Sequence, residues 1–247
     1  MKRALIALAA GLVLADAAVV TLALPQVLLE LDTSVEGVAA VIAIYTGVLA
    51  LALPVSAALH GRATGAAGAL LFAVASIGCA SASSLELLLV MRALQALGGA
   101  ALLAAAFDAL DGGRAGRRLW VGAAVAGTAA GPALGGALTE LFDWRAIFIA
   151  QAPAAALAAA AVLAVPHGSF REVTDESGAR NEIGPVTANV ALLLLSAGLI
   201  GALFLIVVLL INVWLLSPAT AAAVVSAIPV ATVLVERAAR GRSPTLV

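Results

Sequence analysis

The sequence predicts an all-α membrane protein with about eight transmembrane helices. Three observations carry this. Hydrophobic residues make up 64% of the 247 residues and charged residues 11%, against roughly 45–50% and 25% in soluble domains. Mean hydropathy is +1.15. The apolar runs are about 20 residues long, enough to cross a bilayer as helices, and basic residues fall at alternate junctions between them.

The predicted spans are 4–24, 37–59, 65–84, 87–107, 118–139, 146–165, 188–214 and 219–235. Span 1 follows Met1-Lys2-Arg3, a start that a signal peptide shares. Its apolar run continues to Leu24, Pro25 closes it, and seven further spans follow, so it reads as a retained helix. With the N-terminus in the cytoplasm, the inner segments carry Lys2, Arg3, Arg62, Arg114, Arg117, Arg118, Arg171, Arg180, Arg237, Arg240 and Arg242. The outer loops carry Arg145 alone, and Arg92 lies within span 4. This bias orients the chain by the positive-inside rule, with both termini cytoplasmic. Residues 166–187 read as a cytoplasmic linker whose acids and bases roughly cancel. Residues 1–165 form the first bundle before it. Residues 188–247 supply two more helices and a basic tail.

Several function classes are excluded at this stage. A net charge of −1 gives no footprint for nucleic acid. One cysteine, Cys79, offers neither a disulfide nor a metal cluster within the chain, and His60 and His167 have no second ligand nearby. No cofactor motif, phosphate loop or nucleophile–base pair marks an enzyme. The expected partners are the lipid bilayer, a small-molecule substrate and the proton.

Within span 5, Gly127-Thr128-Ala129-Ala130-Gly131-Pro132-Ala133-Leu134-Gly135-Gly136 places Gly127, Gly131 and Gly135 on one helix face. Such a face admits another backbone closely, and Pro132 removes a helix donor. The string resembles the antiporter motif of the major facilitator superfamily, drug:proton antiporter branch. Asp16 to Pro25, ending Leu22-Ala23-Leu24-Pro25, resembles that branch's helix 1 signature. The stretch from Arg92 through Gln95 and Gly98 to Ala100 resembles its helix 4 arginine motif. Asp143-Trp144-Arg145, Phe148 and Pro153 resemble the start of helix 6, and Ser217-Pro218 with Pro229 resemble helices 7 and 8. The resemblance implies a six-helix N-terminal bundle plus the first two helices of a second, incomplete one.

There are departures. The helix 2–3 loop pattern Gly-x-Leu-x-Asp-Arg-x-Gly is met by Ala57, Leu59, Gly61, Arg62 and Thr64, so its aspartate is missing. Gln151 and Ala146 replace an Asn and a Trp, and Ala18 and Thr21 stand where Thr and Asn are frequent. Relative to a two-bundle transporter the chain reads as truncated. By itself it is therefore expected to move no dye in liposomes without oligomerising or meeting a partner that supplies the missing half.

The candidate proton and substrate residues are Asp16, Arg92, Gln95 and Asn212; the candidate packing and gating residues are Gly127, Gly131, Pro132, Gly135, Gly136 and Arg62. A carboxylate in mid-span costs several kcal/mol unless paired, protonated or wetted. Counting from the outer ends puts Asp16 and Arg92 both on the order of 10 Å below the surface. They are expected to pair directly, or through Gln95 or water. Either Asp16 carries a proton whose affinity Arg92 tunes, or the two form a structural ion pair. Asn212 reads as an interhelical hydrogen-bonding group or a substrate contact. Glu86 reads as a solvated helix-start carboxylate, Asp108 and Asp111 as loop charges or, alternatively, members of the inner gate, and Trp120, Trp144 and Trp214 as interfacial anchors. The resemblance implies that span 5 packs against helix 8, and its glycine face, Gly127, Gly131 and Gly135, is expected to be exposed and to favour self-association. The function expected is proton-coupled efflux of small, cationic or amphipathic molecules; the alternative is a non-transporting membrane scaffold or a degenerate transporter remnant.

Overall fold

Short polar residues set the helix starts in the computed structural model, which describes residues 2–59, 61–110, 114–165, 202, 205–227 and 231. Ser34 Oγ accepts from Gly37 N at 3.2 Å and opens one helix. Ser84 Oγ accepts from Leu87 N at 3.3 Å and opens another. Asp143 Oδ1 takes Arg145 N at 2.8 Å and Ala146 N at 3.2 Å and opens a third. Each hydroxyl or carboxylate satisfies amides that the first helical turn leaves unpaired.

The helices are α1 (Lys2–Thr21), α2 (Leu24–Glu30), α3 (Val35–Ala58), α4 (Arg62–Ala80), α5 (Leu85–Leu110), α6 (Arg114–Leu141), α7 (Arg145–Leu163) and α8 (Pro218–Ala227), with a π-helical turn at Leu209–Val213. Among the described residues, six helices are long and apolar enough to cross a membrane: α1, α3, α4, α5, α6 and α7. They match the first six predicted spans to within a few residues. The first span corrects one expectation. The helix breaks after Thr21, and Pro25 begins the short α2 instead of ending the span. Proline is tolerated in a first turn because the donor it lacks has no partner there.

The closest packing joins α4 to α5, α1 to α6, α4 to α7, and α3 to α5. Two apolar layers fill the bundle. One contains Val13, Tyr45, Phe72, Ala96 and Ala155; the other contains Val19, Val41, Cys79, Leu88 and Phe148. On α4, α5 and α7 the chain passes from one layer to the other through a polar residue, on α1 Asp16 lies just past the change, and those residues meet.

The span 5 glycines correct a second expectation. A Cβ on Gly127 would collide with the Gly11 carbonyl, and one on Gly135 with the Val19 carbonyl; Gly131 faces Val19, Ala15 and Ala18 at 3.3–3.4 Å. The face is filled by α1 inside the bundle, so it is not free to pair with a second copy. Gly136 alone of the motif's glycines turns to α8, against Pro218 and Ala222. Small residues at four-residue spacing specify a close approach but not which helix makes it. His60, Asp111, His167, the 166–187 linker, Pro229 and the basic tail lie outside the described residues.

Candidate functional site: a buried ion pair closed by two amides

Asp16 on α1 and Arg92 on α5 are both fully buried, with Arg92 Nη1 2.6 Å from Asp16 Oδ2. That contact is a charge contact off the hydrogen-bond line. Arg92 Nη1 also donates to Gln95 Oε1 at 2.6 Å, one helical turn along α5. Gln95 Nε2 donates to Gln151 Oε1 on α7 at 2.8 Å, and Gln151 Nε2 donates to Asp16 Oδ1 at 2.8 Å. The four side chains form a closed ring through three helices.

Ser76 on α4 brings in a fourth. Its Oγ accepts from Gln95 Nε2 at 2.8 Å and donates to Phe72 O at 2.7 Å. The buried Cys79 Sγ lies 3.8 Å from Gln95 Oε1. Tyr45 on α3 lies under the guanidinium, 4.1 Å from ring centroid to Arg92 Cζ, and donates its hydroxyl to Val13 O at 2.9 Å. Phe148 stands 5.7 Å from the same carbon. An aromatic face offers a buried cation an attraction that water no longer supplies. The site thus holds one carboxylate, one guanidinium and two amides in an apolar shell. Such a set pairs its two opposite charges, which offsets the cost of holding either one in an apolar span.

The sequence-predicted residues divide. Asp16, Arg92 and Gln95 come together. Asn212 lies exposed on the π-helical turn, outside this ring. Arg62 stands at the start of α4, where Nη1 donates to Leu163 O at 3.1 Å and Val165 O at 3.4 Å, clasping the end of α7. Lys2 Nζ reaches Ala164 O beside it at 3.0 Å. Two cations therefore meet the carbonyl end of one helix, where its dipole favours them. Pro132 is buried within α6. Glu86 is exposed in the first turn of α5, as expected, whereas Asp108 lies inside that helix and not in a loop. Among the described residues no group of His, Cys, Asp and Glu could hold a metal ion.

Trp144 corrects a third expectation. It is fully buried and donates its indole N–H to Glu30 Oε2 at 2.6 Å. Glu30 also pairs with Arg145, whose guanidinium lies 4.4 Å from the Trp144 ring centroid. Gln26 accepts from Trp144 N at 3.1 Å and donates to Thr139 O at 3.2 Å. Partial burial pushes the Glu30 carboxyl up, but the Arg145 and Trp144 hydrogen bonds and the Arg145 charge outweigh it and hold it below its usual value. Trp214 is exposed, and Trp120 packs edge-on to Phe107 at 5.4 Å.

Gln151, Ser76 and Tyr45 are the site residues that sequence reasoning missed. Gln151 carried a signal, as a lone amide in the apolar run of span 6.

The Major Facilitator Superfamily profile matches residues 6–242. The multidrug resistance protein Stp of Mycobacterium tuberculosis is 35% identical over 154 residues, 58% of this chain and 28% of that protein. The multidrug efflux pump LfrA of Mycolicibacterium smegmatis is 33% identical over 164 residues, 61% of this chain and 32% of its own. The methylenomycin A resistance protein of Bacillus subtilis is 30% identical over 209 residues, 79% and 44% respectively. The chain thus matches less than half the length of each of these relatives. It belongs to the major facilitator superfamily, a family of membrane transporters and not of enzymes.

Proposed function

We propose that the chain is the proton-handling bundle of a drug:proton antiporter that exports small cationic or amphipathic molecules. The supporting observation is the fully buried Asp16–Arg92 pair closed by Gln95 and Gln151, in a chain similar to named efflux pumps. Asp16 is the proton carrier and Arg92 its counter-ion. With Asp16 ionised, the pair is neutral and the ring closes. A proton on Asp16 leaves Arg92 as the single charge of the site. A cationic substrate near the ionised carboxylate competes with that proton, which is the linkage antiport requires. Alternating access needs two bundles around a midplane site, so this bundle works with a second one, in the same polypeptide or in a partner. In this reading both termini and residues 166–187 lie on the cytoplasmic side, which the basic-residue bias supports.

The test is proton release on binding. The chain in lipid nanodiscs, in weakly buffered medium with a pH indicator, is titrated with ethidium. The expected result is proton release with saturable binding, absent in Asp16→Asn. Ethidium binding with no proton release, or release unchanged in Asp16→Asn, overturns the assignment. Absence of binding favours the second reading, a non-transporting scaffold, which the missing aspartate before Arg62 supports.

A further inference from the structure

The direction of every hydrogen bond in the ring is set by chemistry. Arg92 has only donors, so Gln95 must turn its oxygen to it. The Gln95 amide nitrogen then faces Gln151, which must answer with its oxygen. The Gln151 nitrogen is left for Asp16 Oδ1, and an ionised carboxylate only accepts. The two amides therefore form an oriented line from guanidinium to carboxylate, with all four side chains buried.

The two oxygens of Asp16 are consequently not equivalent. Oδ1 receives the Gln151 N–H. Oδ2 has only the off-line charge contact with Arg92. Were the proton to bind Oδ1, the Gln151 N–H would be left with a hydroxyl oxygen, a poorer acceptor than a carboxylate oxygen. Relief would need Gln151 to flip, which would set its nitrogen against that of Gln95. Gln95 cannot flip in turn, because Arg92 holds its oxygen. A proton on Oδ2 leaves every amide bond intact and displaces only the Arg92 contact.

We propose that Gln151 is a positioning residue that directs the proton of Asp16 to Oδ2, so that protonation releases Arg92 on α5 while Asp16 stays tied to α7. This rests on the reading of Asp16 as the proton carrier. The step is a simple one: hydronium gives its proton to Oδ2, an O–H bond forms, and water leaves. The other titratable or charged groups facing the pair are Tyr45 from α3 and Cys79 from α4; among the described residues α6 and α7 place none in the ring. Tyr45 gives its hydroxyl to Val13 O and Cys79 lies against Gln95 Oε1, so the hydrogen bond to Oδ1, and with it the selection, falls to Gln151. It stands where the family pattern has the shorter Asn. Its extra methylene lets one amide span from Gln95 to Asp16.

Infrared spectroscopy of the full chain in nanodiscs, with carbon-13 aspartate, tests this. The protonated carboxyl C=O band that Asp16→Asn removes belongs to Asp16. With the proton on Oδ2, the C=O oxygen is Oδ1 and accepts from Gln151. Gln151→Leu should then move the band to higher frequency. Gln151→Asn, too short to hold both ends, should move it the same way, and it serves if the leucine variant does not fold. Gln95→Leu frees Gln151 to flip and should split the band in two. A band that stays in place in both Gln151 variants puts the proton on Oδ1 and overturns the proposal. If Asp16→Asn removes no band at any pH, the proton-carrier reading itself fails, a result distinct from the first.

Discussion

Asp16 and Arg92 meet at 2.6 Å with neither side chain exposed. The pair sits where the two apolar layers of the bundle adjoin, and it ties α1 to α5 at the level where Ser76 and Gln151 bring in α4 and α7. Breaking a buried pair by removing one partner strands the other charge, which costs about 3–5 kcal/mol, whereas removing both is far less damaging. Asp16→Asn and Arg92→Gln should each lower folded yield in detergent more than the double variant does. The coupling is read from the cycle of four proteins. Strictly additive losses would mean that the two charges do not interact.

How much of this was legible before the structure follows from what each residue reveals on its own. Asp16 and Arg92 are ionisable groups in the middle of apolar runs, and counting rise per residue placed them at one depth. Gln95 followed from helical spacing. Gln151 showed as a departure from a family pattern and as a lone amide in an apolar run, both weak signals, because a neutral amide in a span carries no charge to demand a partner. Ser76 was hidden because its hydroxyl satisfies itself on Phe72 O within its own helix. Trp144 and the glycine face were misplaced for one shared reason. Position along a span fixes depth and face, but the neighbour that fills the face depends on how the helices are arranged.

The α1–α6 seam makes a graded prediction. Alanine at Gly127 or Gly135 drives a methyl into a carbonyl of α1, while at Gly131 the nearest atom is 3.3 Å away. Overpacking of this kind costs about 1–3 kcal/mol. Thermal unfolding of the purified variants should rank Gly127→Ala and Gly135→Ala well below Gly131→Ala, with the last close to the parent. Equal effects at all three would refute the close approach. Cross-linked dimer should not depend on Gly131, since the face is covered within the bundle.

The Glu30–Arg145 contact predicts an acid limb. The Glu30 carboxyl titrates below its usual value when folded, so the unfolded chain binds this proton more readily. Its contribution is present above the unfolded value and is lost as pH falls through the depressed folded one. Glu30 is about half exposed, and pairs of that kind are worth roughly 0–1 kcal/mol. Glu30→Gln retains an acceptor for Trp144 and should leave neutral-pH stability nearly unchanged. It should also flatten the loss of stability below the carboxylate range. An acid limb identical to the parent would show that Glu30 does not contribute to it.

Glu140 connects the first bundle to the chain beyond it. Its Oε2 accepts Ala219 N at 2.8 Å, at the start of α8, while Ser217 Oγ takes Thr220 N at 3.3 Å. A carboxylate from α6 thus satisfies a first-turn amide of another helix and meets the positive end of its dipole. Gly136 brings the two backbones close enough for this, since a Cβ there would press on Pro218 O and Ala222. Loss of a helix cap costs about 0.5–2 kcal/mol. In Glu140→Ala, hydrogen exchange at Ala219 should speed up by roughly 10-fold or less, the equivalent of that range at its middle, with α3 to α5 unaffected. Glu140→Gln keeps an acceptor but loses the charge and should fall between the two. Because Ser217 caps Thr220 independently, that amide should change least within the turn. Equal acceleration along the whole of α8 would mean that Glu140 holds the helix in place as a unit and does not cap its first turn.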